Sequence, residues 1–324
     1  MQAPLDLLAL LGDGRFHSGE ALGERLGVSR AAVWKRIRAL RETGLTVHAV
    51  RGRGYRLDAP VEWLEAGRIL AAMPAGARRL LGDLEIVPVL DSTNARLLAR
   101  CETGLPSGSA CLAEMQRAGR GRRGRRWLSP PARNLYLSVY WRFEAGVAAL
   151  SALSVRLGLR LATVLEAMGI EGLRVKWPND LLIGDRKVGG ILVELRGDPL
   201  GTTRVVAGIG LNLGMPDAAP IDQPWADLAT ATRRRLSRNA VAGAVLGASL
   251  ELLHELAEGE EAAWQPLWSR YDALAGRRVR VLWPDRSLEG TAMGIDASGA
   301  LLLRETGGGM RRVASGEVSI RTNE

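Results

Sequence analysis

The chain has 324 residues, 47% hydrophobic and 24% charged, a globular composition long enough for two or three domains and unlike a disordered or fibrous chain. A formal net charge of +9 favours polyanionic partners, and two cysteines, Cys101 and Cys111, support neither a disulfide framework nor a zinc site. No apolar run is expected to reach the length of a membrane span, and Met1-Gln2-Ala3-Pro4 leads straight into an amphipathic pattern, so the expected compartment is the cytoplasm.

Leu5 to Leu11 reads as a first apolar helix, and Ser18-Gly19-Glu20 opens a second. Gly27-Val28-Ser29 is a tight turn in which Gly closes one helix and Ser caps the next. The third helix runs from Arg30 to Arg41, with Val33, Ile37 and Leu40 as its buried stripe. Two short strands, 46–50 and 55–57, flank Arg51-Gly52-Arg53-Gly54. Helix, turn, basic helix and basic hairpin make the pattern of a winged helix-turn-helix, with Ser29, Arg30, Lys35, Arg38, Arg41, Arg51 and Arg53 facing DNA. A plain three-helix bundle with a solvated basic face is the alternative.

Beyond Ala59-Pro60, residues 66–272 alternate strand-like and helix-like stretches. Strands are expected at 84–90, 110–115, 135–141, 173–177, 181–183, 190–195 and 205–213. Helices are expected at 95–100, 150–168, 238–257 and 261–274. This is an α+β domain of mixed α/β pattern. From Gly276 the chain is strand and turn, with strands at 278–282, 288–294, 300–304 and 311–313, as in a small SH3-like β-barrel. The expected domains are therefore 1–62, 66–272 and 275–324.

Five pieces of the central domain lie at strand ends or interrupt strands: Asp91-Ser92-Thr93-Asn94, Gln116 with Gly119-Arg120-Gly121-Arg122-Arg123-Gly124-Arg125-Arg126-Trp127, Lys176-Trp177-Pro178-Asn179-Asp180, Lys187-Val188-Gly189-Gly190, and Gly208-Ile209-Gly210-Leu211-Asn212. Alternating Arg and Gly combines fixed, forked donors with a backbone able to approach an anion closely. Of 44 lysines and arginines only Lys35, Lys176 and Lys187 are lysine, and a lysine is a compact point charge that arginine does not copy. Asp180 is placed to hold a magnesium ion or to pair with Lys176. Gly208 and Gly210 remove side chains where a flat ligand would lie. Each piece alone is also an ordinary turn. Together they suit a nucleotide phosphate beside a carboxylate. No Gly-x-x-x-x-Gly-Lys-Ser/Thr loop is present, Gly119, Gly121 and Gly124 match a dinucleotide fingerprint only in part, and His17, His48 and His254 are too scattered for a catalytic triad.

Gly-Arg-Gly-Arg-Arg-Gly, then Lys-Trp-Pro-Asn-Asp, then Lys-Val-Gly-Gly-Ile-Leu-Val-Glu, in that order and behind a winged helix, resembles the biotin protein ligases. The bifunctional bacterial form, both biotin–[acetyl-CoA-carboxylase] ligase and biotin operon repressor, is similar over essentially the whole chain. The resemblance implies a central domain of the biotin/lipoate ligase type. It implies formation of biotinyl-5′-AMP from biotin and ATP with Mg2+, then transfer of biotin to a lysine of the biotin carboxyl carrier protein. It also implies binding to operator DNA of biotin genes as a homodimer when biotinyl-5′-AMP is bound. By position, the biotin set is Ser92, Thr93, Asn94, Gln116, Arg120, Gly121, Arg122, Lys187, Gly190 and Gly208. The nucleotide set is Arg122, Arg123, Trp127, Lys176, Asn179, Asp180, Asn212 and Trp225. Lys187 and Arg122 are the catalytic pair, and Asp180 is the magnesium ligand. Two other readings stay open: a ligase whose winged helix no longer represses, and a ligand-sensing DNA-binding regulator without catalysis. Lipoate attachment shares the ancestry but lacks the Arg/Gly run.

Overall fold

A computed structural model of the protein describes residues 5–144, 146, 150, 152–197, 201–216, 219, 221–260, 263–314 and 319–322. Helices α1 (Leu5–Leu11), α2 (Gly19–Leu26) and α3 (Arg30–Glu42) are followed by the hairpin β1 (Val47–Val50) and β2 (Gly54–Leu57). Gly27 closes α2 in the left-handed conformation, and the Ser29 hydroxyl accepts the Ala32 amide to start α3, the turn chemistry expected of that segment. Val33, Ile37 and Leu40 are buried in a core with Leu7, Leu8, Leu11 and Leu22. His17 pairs with Tyr55 and ties the hairpin to the helices. Gly54 is required there, because a Cβ would stand 2.0 Å from the His17 carbonyl oxygen.

Two short helices not legible in the sequence, α4 (Ala66–Ala72) and α5 (Ala75–Arg78), lead into the central domain. Its strands are β3 (Leu84–Leu90), β4 (Ala110–Gln116), β5 (Leu135–Phe143), β6 (Leu173–Lys176), β7 (Asp180–Ile183), β8 (Arg186–Gly197) and β9 (Thr203–Leu211). They form one sheet in the order β3-β4-β5-β9-β8-β7-β6, parallel only between β3 and β4. Helices α7 (Leu153–Ala167) and α9 (Arg238–Ala257) pack together against the sheet and enclose the main core. Helix α6 (Thr93–Arg100) packs on β4, β5 and β9 over a smaller apolar cluster. That cluster holds both thiols, and burial pushes Cys111 up to about 12. Helix α8 (Leu228–Thr232) was not expected. Helix α10 (Gln265–Tyr271) is shorter than the expected 261–274, whose first residue lies outside those described.

One expectation is corrected here. Helix α9 is long and apolar enough to cross a membrane by length and composition. Most of it is buried within the protein, where Gly243 lies against α4 and Gly247 against Pro74. Its all-round apolar character is that of a core helix.

The last domain is an antiparallel sheet of β10 (Arg278–Leu282), β11 (Ser287–Ile295), β12 (Leu301–Glu305), β13 (Met310–Val313) and β14 (Ser319–Thr322), in the order β13-β12-β11-β10-β14. The strand β14 extends the expected four.

The three parts are knitted together by polar contacts. Asp58 pairs with Arg133, Arg235 donates to the Pro60 carbonyl, and Ala132 joins the N-terminal core. Deeper in, Arg238 pairs with Glu114 at 2.8 Å, both side chains 5% exposed. The same guanidinium donates to the carbonyls of Asn134 and Glu62, while Glu114 accepts the Leu64 amide. Removing one partner strands a buried charge. Arg238→Met should therefore lower the unfolding free energy by about 3–5 kcal/mol, read as the shift in a urea unfolding curve; a shift under about 1 kcal/mol would refute a buried ionic role.

Candidate functional site

Strands β4 to β9, the start of α6 and the loops between them converge on one cleft of about 1010 Å3. Nine cationic side chains and three carboxylates line it, so its field draws anions. Every residue proposed from sequence for biotin or nucleotide lies on its wall, from Ser92 to Trp225.

One end is a neutral floor of donors and acceptors. The Ser92 hydroxyl caps α6 by accepting the Ala95 amide, so Ser92 has a local structural duty. Gln116 Oε1 accepts the Thr93 amide at 2.9 Å and its Nε2 donates to Ser129. Ser138, buried on β5, donates to Thr93 Oγ1 at 2.7 Å and also meets Asn94 Oδ1. Asn94 Nδ2 donates to Glu194 Oε2 at 2.7 Å and to the Leu192 carbonyl. Ser138, Ser129 and Glu194 were missed from sequence. The usable signal was a lone serine in the otherwise apolar and aromatic run Leu135-Tyr136-Leu137-Ser138-Val139-Tyr140, since a buried hydroxyl needs partners.

The other end is cationic. Lys187 Nζ sits 2.7 Å from Asp180 Oδ1 and 5.5 Å from the Trp127 ring centre. Asp180 thus pairs with Lys187 and not, as the sequence allowed, with Lys176. The β7–β8 hairpin decides this: its register slips between Leu181 and Leu182 and brings Lys187 back beside Asp180. Lys187 also lies inside β8, earlier than the strand was expected to begin. Arg122 Nη1 donates to Asn179 Oδ1 at 3.3 Å. Burial pushes both the Arg122 guanidinium and the Lys176 amine down from their ordinary values, and the Asp180 carboxylate opposes the shift in each.

The Arg/Gly run is a folded loop. Gly121 donates to the Arg125 carbonyl, Trp127 donates to the Gly119 carbonyl, and Arg120 bridges to Arg126. Arg123 takes φ 57° and Gly124 φ 70°, which turns the loop tightly; left-handed geometry at Arg123 costs about 1 kcal/mol. Arg120 lies 3.6 Å from Glu194, so the loop is tethered to the residue that also holds Asn94.

Two glycines have a different role from the one expected. A Cβ at Gly208 would meet Asn94 Oδ1 at 2.2 Å, and one at Gly210 would meet the Trp127 ring at 2.5 Å. They make room for the protein's own Asn94 and Trp127. The Trp127 ring lies across the strand, also over Gly190, and its buried N–H has no hydrogen-bond partner among the described residues. Asn212 donates to the Ala226 carbonyl, and Trp225 bridges to Lys187, which fixes the far wall.

The C-terminal sheet reaches this cleft through Arg277, Ile320 and Arg321. It also holds the Lys176–Asp180 loop. Trp177, buried beside Pro178, donates its indole N–H to the Gly299 carbonyl at 2.9 Å. Trp177→Phe should lower the unfolding free energy by about 1 kcal/mol, the worth of one hydrogen bond, read from a urea unfolding curve; no shift would show that this bond does not hold the loop.

At the N-terminal domain, Arg30, Lys35, Arg38, Arg51 and Arg53 are exposed as expected. Arg41 is exposed as well, and it also donates Nε and Nη2 to the Val47 carbonyl and braces the hairpin. Arg53 lies over the Phe16 ring, 4.2 Å from its centre.

Comparison with known proteins agrees with this geometry. Family models match residues 5–56 as an HTH domain, 86–212 as the biotin/lipoate A/B protein ligase family, and 275–321 as a biotin protein ligase C-terminal domain. The bifunctional ligase/repressor BirA of Salmonella typhimurium is 45% identical over 99% of this chain and 98% of its own. The chain belongs to the bifunctional biotin ligase/repressor family. A biotin–[acetyl-CoA-carboxylase] ligase of Paracoccus denitrificans is 35% identical over 67% of this chain and 92% of its own. A solved structure of biotin protein ligase from Aquifex aeolicus in complex with biotin and ATP superposes with a TM-score of 0.64, at 28% identity, over 74% of this chain and 99% of that one.

Proposed function

We propose that the protein joins biotin to ATP as biotinyl-5′-AMP, transfers biotin to a lysine of a biotin carboxyl carrier protein, and represses biotin genes with the adenylate as corepressor. The observation that carries the enzymatic reading is the two-ended cleft. A neutral network of Thr93, Asn94, Gln116 and Ser138 stands at one end, and Lys187, Arg122 and Lys176 at the other. A ureido ring presents both N–H donors and a carbonyl acceptor, which the neutral end can match. A carboxylate and a triphosphate repel each other, and the cations at the other end offset that repulsion.

In the first step a biotin carboxylate oxygen bonds to the α-phosphorus and pyrophosphate leaves. Lys187 and Arg122 sit where negative charge builds on the phosphoryl oxygens, and they stabilise that charge in a partly dry site. In the second step the carrier lysine, as a free amine, bonds to the acyl carbon; AMP leaves and the amine loses a proton. The Arg/Gly loop shields the anhydride from water between the steps. The indole N–H of Trp127 is available to an acceptor on the bound ligand.

Among the described residues no three His, Cys, Asp or Glu side chains cluster as a metal site. Asp180 is already paired with Lys187. That donor set suits a Mg2+ delivered on the nucleotide phosphates and met by one carboxylate. It does not suit a resident metal.

The roles assigned above to Ser92, Arg120, Gly121, Arg123, Asn179, Gly190, Asn212 and Trp225 belong to this proposal, as do the domain limits 1–62, 66–272 and 275–324. So do homodimer formation on adenylate binding and a cytoplasmic location. A two-fold dimer would place two winged helices on two half-sites. Biotin-dependent ATP–pyrophosphate exchange tests the ligase directly, and exchange no greater with biotin than without it would refute it. Adenylate-dependent tightening on the protein's own upstream DNA tests the repressor.

A further inference from the structure

Of the nine tryptophans only Trp34 is exposed, at 52% of its surface. It lies in the first half of α3, a quarter turn round the helix from the buried Val33, Ile37 and Leu40. The same exposed stripe carries Ala31 one turn before it, and Lys35 and Arg38 beside and after it. Leaving an indole in water forgoes the gain of burying it, and no core contact in this domain claims it. Its surroundings are cationic. Arg30 and Lys35 make no ion pair among the described residues, and Arg38 pairs only with Glu42 of its own helix.

We infer that Trp34 is a base-reading residue of α3, contacting the 5-methyl group and O4 of a thymine in the major groove of duplex DNA. The inference rests on the repressor reading above. Charge complementarity selects the occupant: the flanking Arg30, Lys35 and Arg38 match phosphates, which position a helix but carry no sequence information. A side chain in the N-terminal half of a recognition helix meets base edges instead. An indole offers an apolar edge and one N–H donor, and takes no hydrogen bond. In the major groove thymine alone pairs a methyl group with an acceptor. Guanine and adenine offer no methyl, and cytosine offers a donor that the indole has no lone pair to receive.

The test uses the full-length protein with biotin and ATP. Binding sites are selected from a randomised duplex pool by the wild-type protein, Trp34→Ala and Trp34→Phe. Each thymine of the wild-type consensus is then replaced singly by uracil, which deletes only the methyl group. One thymine per half-site should lose roughly fourfold in wild-type affinity on that replacement, the worth of burying a methyl group. Trp34→Ala should be insensitive at that position, and Trp34→Phe should keep the methyl sensitivity. Non-specific affinity and its salt dependence should be the same in all three proteins, because those come from phosphate contacts. An unchanged melting temperature for Trp34→Ala checks the fold. A consensus in which uracil affects wild type and Trp34→Ala equally overturns this inference and leaves the repressor standing. The failure of the wild-type protein to enrich any sequence overturns both.

Discussion

Lys187→Arg should reduce biotin-dependent ATP–pyrophosphate exchange by at least about 100-fold, the loss expected when one donor to a developing oxyanion is misplaced. The substitution keeps the positive charge, so a loss of that size would show that position and shape matter as well. The reason is the space around the amine. Lys187 is 17% exposed, with its Nζ 2.7 Å from Asp180 Oδ1. Gly190 lies directly beneath it, close enough that a Cβ there would stand 3.3 Å from the amine, and Trp127 closes the other side. A planar guanidinium is wider than an ammonium and prefers to pair with a carboxylate through two parallel bonds. It would swing toward Asp180 and away from the phosphoryl group, or else displace Trp127. Exchange within about twofold of the wild type would mean that charge alone suffices at this position. Gly190→Ala offers a separate check on the same crowding, since it narrows the amine's space without altering any charge.

Arg122→Gly should release the adenylate roughly ten- to a hundredfold faster, the worth of a hydrogen bond made by a charged group. Arg122 reaches across from the loop to Asn179, whose own Nδ2 donates to the Ile191 carbonyl of β8. The loop is thus fastened at Arg122 on the nucleotide side and at Arg120, through Glu194, on the biotin side. Glycine would remove the first fastening and add backbone freedom to a loop that already contains Gly119, Gly121 and Gly124. The escaped anhydride would acylate amines without selection. The experiment follows release of labelled adenylate by rapid filtration, together with labelling of an unrelated protein. Retention equal to wild type would contradict the fastening role.

These two residues show where sequence is a sufficient guide and where it is not. Lys187 stood out because lysine is so scarce in an arginine-rich chain, and Arg122 because arginine and glycine alternate around it. Neither signal says what the side chain touches. The Asp180–Lys187 pair depends on a register slip inside a short hairpin, which the residue types do not encode visibly. The Arg122–Asn179 bond spans 57 positions and the Arg120–Glu194 pair is longer still. Glu194 reads as one polar residue at the end of an apolar strand until α6 is packed across β9 and brings Asn94 to it. Gly208 and Gly210 carried the opposite hazard. The absence of a side chain was legible, and the purpose was not, because the space is filled by Asn94 and Trp127 from distant segments.

By itself the sequence determined the local elements and the chemistry available. Periodicity, caps and turn residues are short-range, so the helix-turn-helix, the long core helix α9 and most strands followed from them. Scarce lysine, alternating arginine and glycine, and the polar clusters at strand ends named the residues of the cleft. Only the tertiary structure decided which of them meet. Strand order and register set partner distances in a sheet, and those depend on the summed burial of a whole core rather than on any one segment. For the same reason Trp34 remained in solvent: the packing of α3 against two other helices determines which of its side chains are left to face outward.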